Sequence, residues 1–300
     1  MFDLKKEKFG RKLLAVAMSG ALLLTGCTKE TTIEEAPAPE VTGSLKVSVL
    51  DVGKADCILF QTETKNFMID TAEKNNGKHI RKVLEARGIT HLDFVEISHY
   101  DKDHIGGLRN LLKKGITIDT VYAPEYETES SDYTKTVEQM TESGLQFTYV
   151  KEKVSLTVDD VLFEIYPAMK EKYKEVNNKF EDEETDNEFS LVTLVKHGTN
   201  RLLFAGDACN ERLQEIPKQI NPDVDFLKVP HHGREDDYTT SFLKKSLPEY
   251  AVITCSAKNV PDGSVLTALE GVGAKVYLTE DGQVDVECDG KTLTVTQTAE

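Results

Sequence analysis

Beyond its first two dozen residues the 300-residue chain has no apolar run of the roughly 20 residues that a spanning helix needs, so no transmembrane helix is expected in its body. Positive charge is also short: 36 Lys and Arg stand against 52 Asp and Glu, a formal charge of -16. This argues against a nonspecific nucleic-acid binder. Counterion release needs Lys and Arg facing phosphates, and an acidic body repels polyanions unless metal ions neutralise the charge locally. Cysteine is sparse and never forms a C-x-x-C pair, which argues against a cysteine-built zinc site. Cys57, Cys209, Cys255 and Cys288 lie in or beside apolar strand-like runs and read as mostly unpaired, buried thiols, although export would permit disulfides. No repeat of fixed period and no central linker is visible, so one domain over residues 44 to 300 is expected. A hydrophobic content of 39% with 29% charged residues allows that domain a sizeable core.

The N-terminus is different. Lys5, Lys6, Lys8, Arg11 and Lys12 precede an apolar stretch from Leu13 to Leu24, which is followed by Thr25-Gly26-Cys27. A basic region, a short apolar region and small residues make a secretory signal, too short for an anchor helix. Its end resembles a bacterial lipobox. That resemblance implies a signal peptide over residues 1 to 26 and lipidation of Cys27, leaving the protein tethered to the outer face of the cell membrane by lipid alone. Residues 27 to 43, with Pro37 and Pro39 and no apolar periodicity, read as an extended tether.

From Ser44 onward, short strand-length runs alternate with helical patterns. Strands are expected at Leu45 to Leu50, Cys57 to Gln61, Asn66 to Ile69, Phe94 to Ile97, Thr117 to Ala123 and Val161 to Tyr166, and helices at Lys78 to Arg87, Ile105 to Lys114 and Tyr133 to Ser143. A solvated loop follows from Ala168 to Glu188. The second half predicts strands at Phe189 to Lys196, Arg201 to Ala205, Phe226 to Val229, Ala251 to Thr254 and Lys275 to Leu278. Its helices are expected at Asn210 to Gln219, Thr240 to Ser246 and Ser264 to Glu270, and a hairpin turning at Asp289-Gly290 closes the chain. Two such halves bury their faces as an α/β fold, with two sheets back to back and helices outside.

Chemistry concentrates in Ser98-His99-Tyr100-Asp101-Lys102-Asp103-His104-Ile105-Gly106-Gly107, between an apolar strand and a helix. Two imidazoles and two carboxylates within six residues can converge from one loop, and both are ligands for divalent metals. Gly206-Asp207 ends another apolar strand, and Pro230-His231-His232-Gly233 ends a third. Together they offer a carboxylate able to bridge two ions and an imidazole to close the site. His79, His91 and His197 read as surface or structural residues, the last in an apparent turn.

These motifs resemble those of metallo-β-lactamase-fold hydrolases, the αββα sandwich, and specifically the extracellular metal-binding domain of the ComEC competence family. The similarity runs through Leu50-Asp51-Val52-Gly53-Lys54-Ala55-Asp56, Met68-Ile69-Asp70-Thr71, the Ser-His-x-Asp-x-Asp-His-x-Gly-Gly stretch, Gly206-Asp207 and His231-His232-Gly233, in the family's order. It implies two divalent cations, zinc or manganese. His99 and Asp101 would hold one, Asp103, His104 and either His231 or His232 the other, with His232 slightly favoured and Asp207 bridging. Asp51, Asp56 and Asp70 would orient the imidazoles. Some positions depart from the pattern. Asp101 stands where many relatives of the wider fold have histidine, which makes the site richer in oxygen and opens it to manganese. Asp186-Asn187-Glu188 lacks a histidine found there in the wider fold, Lys54 and Ala55 replace Gln and Gly, and Arg234 replaces a serine.

The resemblance implies hydrolysis by a metal-activated water, oriented by Asp103, with the non-ligating histidine (His231 if His232 binds) or Arg234 stabilising developing charge. The leading substrate is a phosphodiester, with nucleic acid at the cell surface as the family's example. Two alternatives stay open: a hydrolase of small phosphate esters or lactones, which the net charge favours, and a non-catalytic surface binding lipoprotein. The sequence is silent on oligomeric state.

Overall fold

The computed structural model describes residues 43–126, 128–169 and 186–299, together with Val41. The leader, Cys27, most of the tether and most of the loop from Ala168 to Glu188 lie outside the described residues. Among the described residues no helix is long and apolar enough to cross a membrane.

The strands run in chain order as β1 (Leu45–Val49), β2 (Ile58–Gln61), β3 (Asn66–Ile69), β4 (His91–Glu96), β5 (Thr117–Ala123), β6 (Phe147–Tyr149), β7 (Val154–Val158), β8 (Val161–Tyr166), β9 (Val192–His197), β10 (Asn200–Phe204), β11 (Phe226–Lys228), β12 (Tyr250–Ile253), β13 (Lys275–Leu278), β14 (Gln283–Cys288) and β15 (Leu293–Thr298). They form two sheets, one of eight strands ordered β15-β14-β1-β2-β3-β4-β5-β6 and one of seven ordered β13-β12-β11-β10-β9-β8-β7. In each sheet one half is parallel, β3 to β6 in the first and β10 to β13 in the second.

The period of two in the strands explains the layers. Phe67 and Ile69 of β3 pack in the same core as Leu202 and Phe204 of β10, whereas Met68 and Leu203 between them point to opposite outer faces. The shared core lies between the sheets and is centred on Phe60, Phe67, Phe94, Phe163 and Phe204, whose neighbouring rings meet edge-on or stacked at 4.5–5.7 Å. Truncating Phe60 to alanine there is expected to cost about 3–5 kcal/mol. Helices α1 (Gly77–Ala86), α3 (Leu108–Lys113) and α4 (Ser131–Glu142) cover the outer face of the larger sheet, with Ile80, Leu84, Leu111 and Met140 against Met68 and Val95. Helices α5 (Asn210–Gln219), α6 (Thr239–Ser246) and α7 (Gly263–Gly271) cover the smaller sheet through Leu213, Ile216, Phe242 and Leu269. The expected αββα sandwich is therefore the fold.

Four local expectations need correction. The single helix over Ile105 to Lys114 is two: α2 (Lys102–Ile105) and α3, because the Gly107 N–H leaves the helical ladder to donate to Ala72 O at 2.9 Å. The strand expected from Phe189 begins only at Val192, since Phe189 and Ser190 close a turn onto Asp186 O and Asn187 O. His197 is not in a turn but ends β9, buried, with Nδ1 3.2 Å from Cys288 Sγ. β6 and β7 were not foreseen. All four cysteines after the tether are free and buried, and burial pushes the Cys288 thiol up to about 11.

Candidate metal centre

The parallel halves of both sheets deliver their C-terminal ends to one edge of the sandwich, the place where open α/β sheets hold ligands. Asp70 follows β3, the His99–His104 loop follows β4, Asp207 follows β10, His231 and His232 follow β11, and Thr254 follows β12. Backbone hydrogen bonds lock the pieces together. Asp56 N donates to Asp103 O at 3.1 Å, Thr71 N to His104 O at 2.7 Å and Ala72 N to Asp56 O at 2.8 Å. Gly107 is required for the close approach, because a Cβ there would lie 2.0 Å from Thr71 O.

The geometry brings the sequence candidates to one buried cluster. His104 Nε2 lies 3.3 Å and His232 Nε2 3.1 Å from Asp207 Oδ2, and His232 Nε2 is 3.6 Å from Asp103 Oδ2. His99 Nε2 stands 3.5 Å from Asp101 Oδ2, with the Asp101 carboxylate partly exposed at the mouth. Potential ligand atoms of His99, His104 and Asp207 form one group within 4.8 Å of one another, and those of Asp103, His104 and His232 form a second.

The other ring nitrogens are held from behind. His104 Nδ1 donates to Asp70 Oδ2 at 2.8 Å, and His232 Nδ1 donates to Thr254 O at 3.0 Å. Ser98 Oγ sits 3.0 Å from His99 Nδ1. The three Nε2 atoms of His99, His104 and His232 are buried and have no hydrogen-bond partner. Imidazoles fixed at Nδ1 with orphaned Nε2 atoms turned toward carboxylates are the arrangement that metal-ligating histidines adopt. The donor set therefore fits divalent cations.

Electrostatics agree with that fit. Burial alone would depress the His104 and His232 rings, yet both are held above the usual histidine range, His104 by Asp207 and Asp70, His232 by Asp207 and Asp103. Burial would raise Asp207, but His232, His104 and Lys228 hold it well below the carboxylate range. Asp103 is likewise depressed, against its burial, by the neighbouring His232 and His104 rings. These carboxylates demand positive charge from whatever occupies the cluster. Protons on the rings supply it in the absence of cations, so cation binding is expected to release protons.

Backbone strain directs the two adjacent histidines to different partners. His231 (φ 47°), His232 (φ 52°) and Gly233 (φ 76°) are consecutive left-handed residues, a conformation costing roughly 1–2 kcal/mol for each non-glycine. The turn sends His232 into the cluster and His231 away, where its Nδ1 donates to Asp236 Oδ2 at 2.6 Å and its Nε2 lies 3.4 Å from Asn187 Nδ2. Arg234, next along, is exposed.

Asp56, Asp70 and Asp51 divide. Asp70 backs His104, and Asp56 accepts from Thr254 Oγ1 at 2.6 Å behind His232. Asp51 instead accepts from Gly53 N at 3.3 Å within its own turn. Sequence reasoning missed Lys228, fully buried at the end of β11, which ion-pairs with Asp56, approaches Asp207 Oδ1 at 3.5 Å and donates to Gly206 O at 3.0 Å. The signal was a lysine inside the apolar run Phe226 to Val229 that leads into Pro230-His231-His232, since a lysine on such a strand must meet a carboxylate. Thr254 and Asp236 carried no such mark.

Comparison with known proteins yields three findings. A family model for the metallo-beta-lactamase superfamily matches residues 50–256. The chain is similar to ComE operon protein 3 of Bacillus subtilis, 28% identical over 201 residues, covering 66% of this chain and 24% of that protein, and to Recombination protein 2 of Haemophilus influenzae, 25% identical over 256 residues, covering 80% and 28%. It thus spans about a quarter of the length of these relatives. The metallo-beta-lactamase fold protein YhfI of Bacillus subtilis shares the fold at a TM-score of 0.53 and 14% identity, over 85% of this chain and all of that one.

Proposed function

The chain belongs to the metallo-beta-lactamase superfamily, a metal-dependent hydrolase fold, and we propose that its buried cluster binds two divalent cations and hydrolyses phosphodiesters. The carrying observation is the convergence of three unpartnered imidazole Nε2 atoms on carboxylates, those of His104 and His232 on Asp207 and Asp103 and that of His99 on Asp101. His99, Asp101, Asp103, His104, Asp207 and His232 would hold the cations. Cations bound there supply Lewis-acid polarisation of a phosphoryl oxygen and a hydroxide near neutral pH.

The chain's own groups do the rest. Asp103, with Lys54 Nζ 3.4 Å from its Oδ2, accepts a hydrogen bond from the attacking water and fixes its orientation. His231, anchored at Nδ1 by Asp236, would stabilise negative charge developing on the substrate. Arg234 pairs with the substrate's remaining negative oxygen from the rim. The choice of a phosphodiester, and of nucleic acid handled outside the cytoplasm, rests on the motif resemblance to the ComEC family, with which the similarity to a recombination protein and to a competence protein of Neisseria gonorrhoeae agrees. Lipidation at Cys27 would hold the enzyme at the outer membrane face, and Cys27→Ser should release it from the membrane fraction.

A second reading has one observation in its favour: the charge of -16 suits a small phosphate ester better than a polyanion. The test is hydrolysis of bis(p-nitrophenyl) phosphate, single-stranded DNA and double-stranded DNA, with manganese and zinc supplied separately. Cation-dependent cleavage of the dye and of DNA supports the proposal. A cation-loaded protein that cleaves small monoesters or lactones and no diester favours the second reading, and one that cleaves nothing favours a binding module.

A further inference from the structure

We infer that a basic groove on the chain segment following the metal loop binds the phosphates of the nucleic-acid strand that flank the scissile bond. This rests on the phosphodiesterase reading and extends it to a substrate-binding surface. The groove, about 220 Å³, is lined by Lys74, Arg109, Lys113 and Lys135, with Glu138 and Glu142 at its α4 side. In a chain with so large an acidic excess, four cations meeting from three separate elements is a local reversal of sign.

Two features mark the groove as built for an anion. Arg109 is only 5% exposed; its Nη2 donates to Asp132 Oδ1 at 2.6 Å, while its Nε is buried without any hydrogen-bond partner. A guanidinium has five donors, and a phosphate oxygen in the groove would satisfy one left unmet. Lys74, Lys113 and Lys135 are exposed, and among the described residues none has a carboxylate within ion-pairing distance, so their charge is available. Glu138, Glu142 and the Asp132 paired with Arg109 set three negative charges against these four positive ones and reduce the local excess without cancelling it.

The groove is also continuous with the metal loop. α2, carrying Asp103 and His104, passes through Gly106 and Gly107 into α3, whose second residue is Arg109. The turn bearing Lys74 packs on the same glycines, since a Cβ on Gly106 would lie 2.9 Å from Lys74 N, and Asn110 Nδ2 donates to Lys74 O at 2.6 Å. A strand held at the cluster would meet this positive charge on the element that follows the ligand loop. Contacts of this type fix the register of a strand without reading its sequence.

The test uses the full chain loaded with manganese. Lys74→Gln, Lys113→Gln and Lys135→Gln are combined, with Lys244→Gln plus Lys245→Gln on α6 as a control. Two quantities are measured: salt-dependent binding of a short single-stranded oligonucleotide by fluorescence anisotropy, and turnover of bis(p-nitrophenyl) phosphate. The triple variant should flatten the slope of log affinity against log salt by ~0.7 for each phosphate that a lysine no longer neutralises. It should leave dye turnover unchanged, and the control should keep the wild-type slope. If wild type hydrolyses the dye but the triple variant keeps the wild-type slope, or the control flattens it equally, the groove is overturned and the phosphodiesterase reading stands. If wild type hydrolyses no diester yet the slope falls only in the triple variant, the groove stands and that reading fails. Absence of oligonucleotide binding by wild type at low salt overturns the groove outright.

Discussion

Replacing Asp70 by asparagine should weaken cation binding without touching a proposed ligand. Asp70 is fully buried, and its two oxygens accept three hydrogen bonds: Oδ1 from Ser98 N at 2.8 Å, and Oδ2 from Ser98 Oγ at 2.7 Å and His104 Nδ1 at 2.8 Å. Asparagine keeps the shape but has one acceptor oxygen, so an amide NH₂ must face at least one of these donors. If the amide oxygen stays on Ser98 N, the NH₂ opposes His104 Nδ1 and favours the ring tautomer with its proton on Nε2, the atom a cation needs free. Losing a charge-assisted hydrogen bond of this kind costs about 1.5–3 kcal/mol, and about 1.4 kcal/mol is tenfold in an equilibrium constant. Cation affinity should fall roughly 10- to 100-fold, the range found for residues that support metal ligands from behind. Competition against a chromogenic chelator reads the affinity, and circular dichroism checks that the variant is folded. A folded Asp70→Asn protein with wild-type affinity for zinc and manganese would refute the claim that Asp70 sets the ligand form of His104.

Two other perturbations test the frame around the site. Glu96 is buried between the sheets, where Thr193 Oγ1 donates to it at 2.6 Å, and burial pushes its carboxyl up to about 8 from the usual 4.5. The fold thus favours the neutral acid, a contribution fully present below about pH 4.5 and lost as pH rises through about 8. At about 1.36 kcal/mol per pKa unit the loss is on the order of 5 kcal/mol, and Glu96→Gln should remove that part of the pH dependence in denaturant titrations at about pH 5 and 9. Equal pH slopes in the two proteins would contradict it. Gly107→Ala places a methyl against the Thr71 carbonyl and should cost about 3 kcal/mol by urea unfolding, together with loss of cation binding; full stability would show that the loop is not so tightly seated.

The strands were legible where both faces are buried and the pattern is long. β3 and β8 run over the residues expected, because apolar side chains there feed two cores at once, and β5 and the edge strand β13 do so on alternation alone. The edge strand β6 is three residues long and only half-buried, too short to show a period, whereas β7, Val154-Ser155-Leu156-Thr157-Val158, alternates apolar and polar and did carry the signal of a half-buried strand. The ligand loop was legible because a dense run of His and Asp after an apolar strand has few structural uses. Its end was not: propensity favours one helix over Ile105 to Lys114, and a tertiary hydrogen bond from Gly107 to Ala72 divides it. The choice between His231 and His232 turns on three successive left-handed residues, and nothing local in His-His-Gly reveals which ring faces Asp207. Thr254 reaches the site only because two sheets meet there, so spacing along the chain carries no trace of it.

The central claim is that His99, Asp101, Asp103, His104, Asp207 and His232 form a two-cation centre. Metal analysis of the reconstituted protein, wild type beside Asp207→Ala, tests it most directly, with circular dichroism confirming that both are folded. Two cations per wild-type chain, and fewer in the variant together with loss of phosphodiesterase activity, is the predicted result. A folded wild-type protein that takes up no zinc or manganese on reconstitution would contradict it.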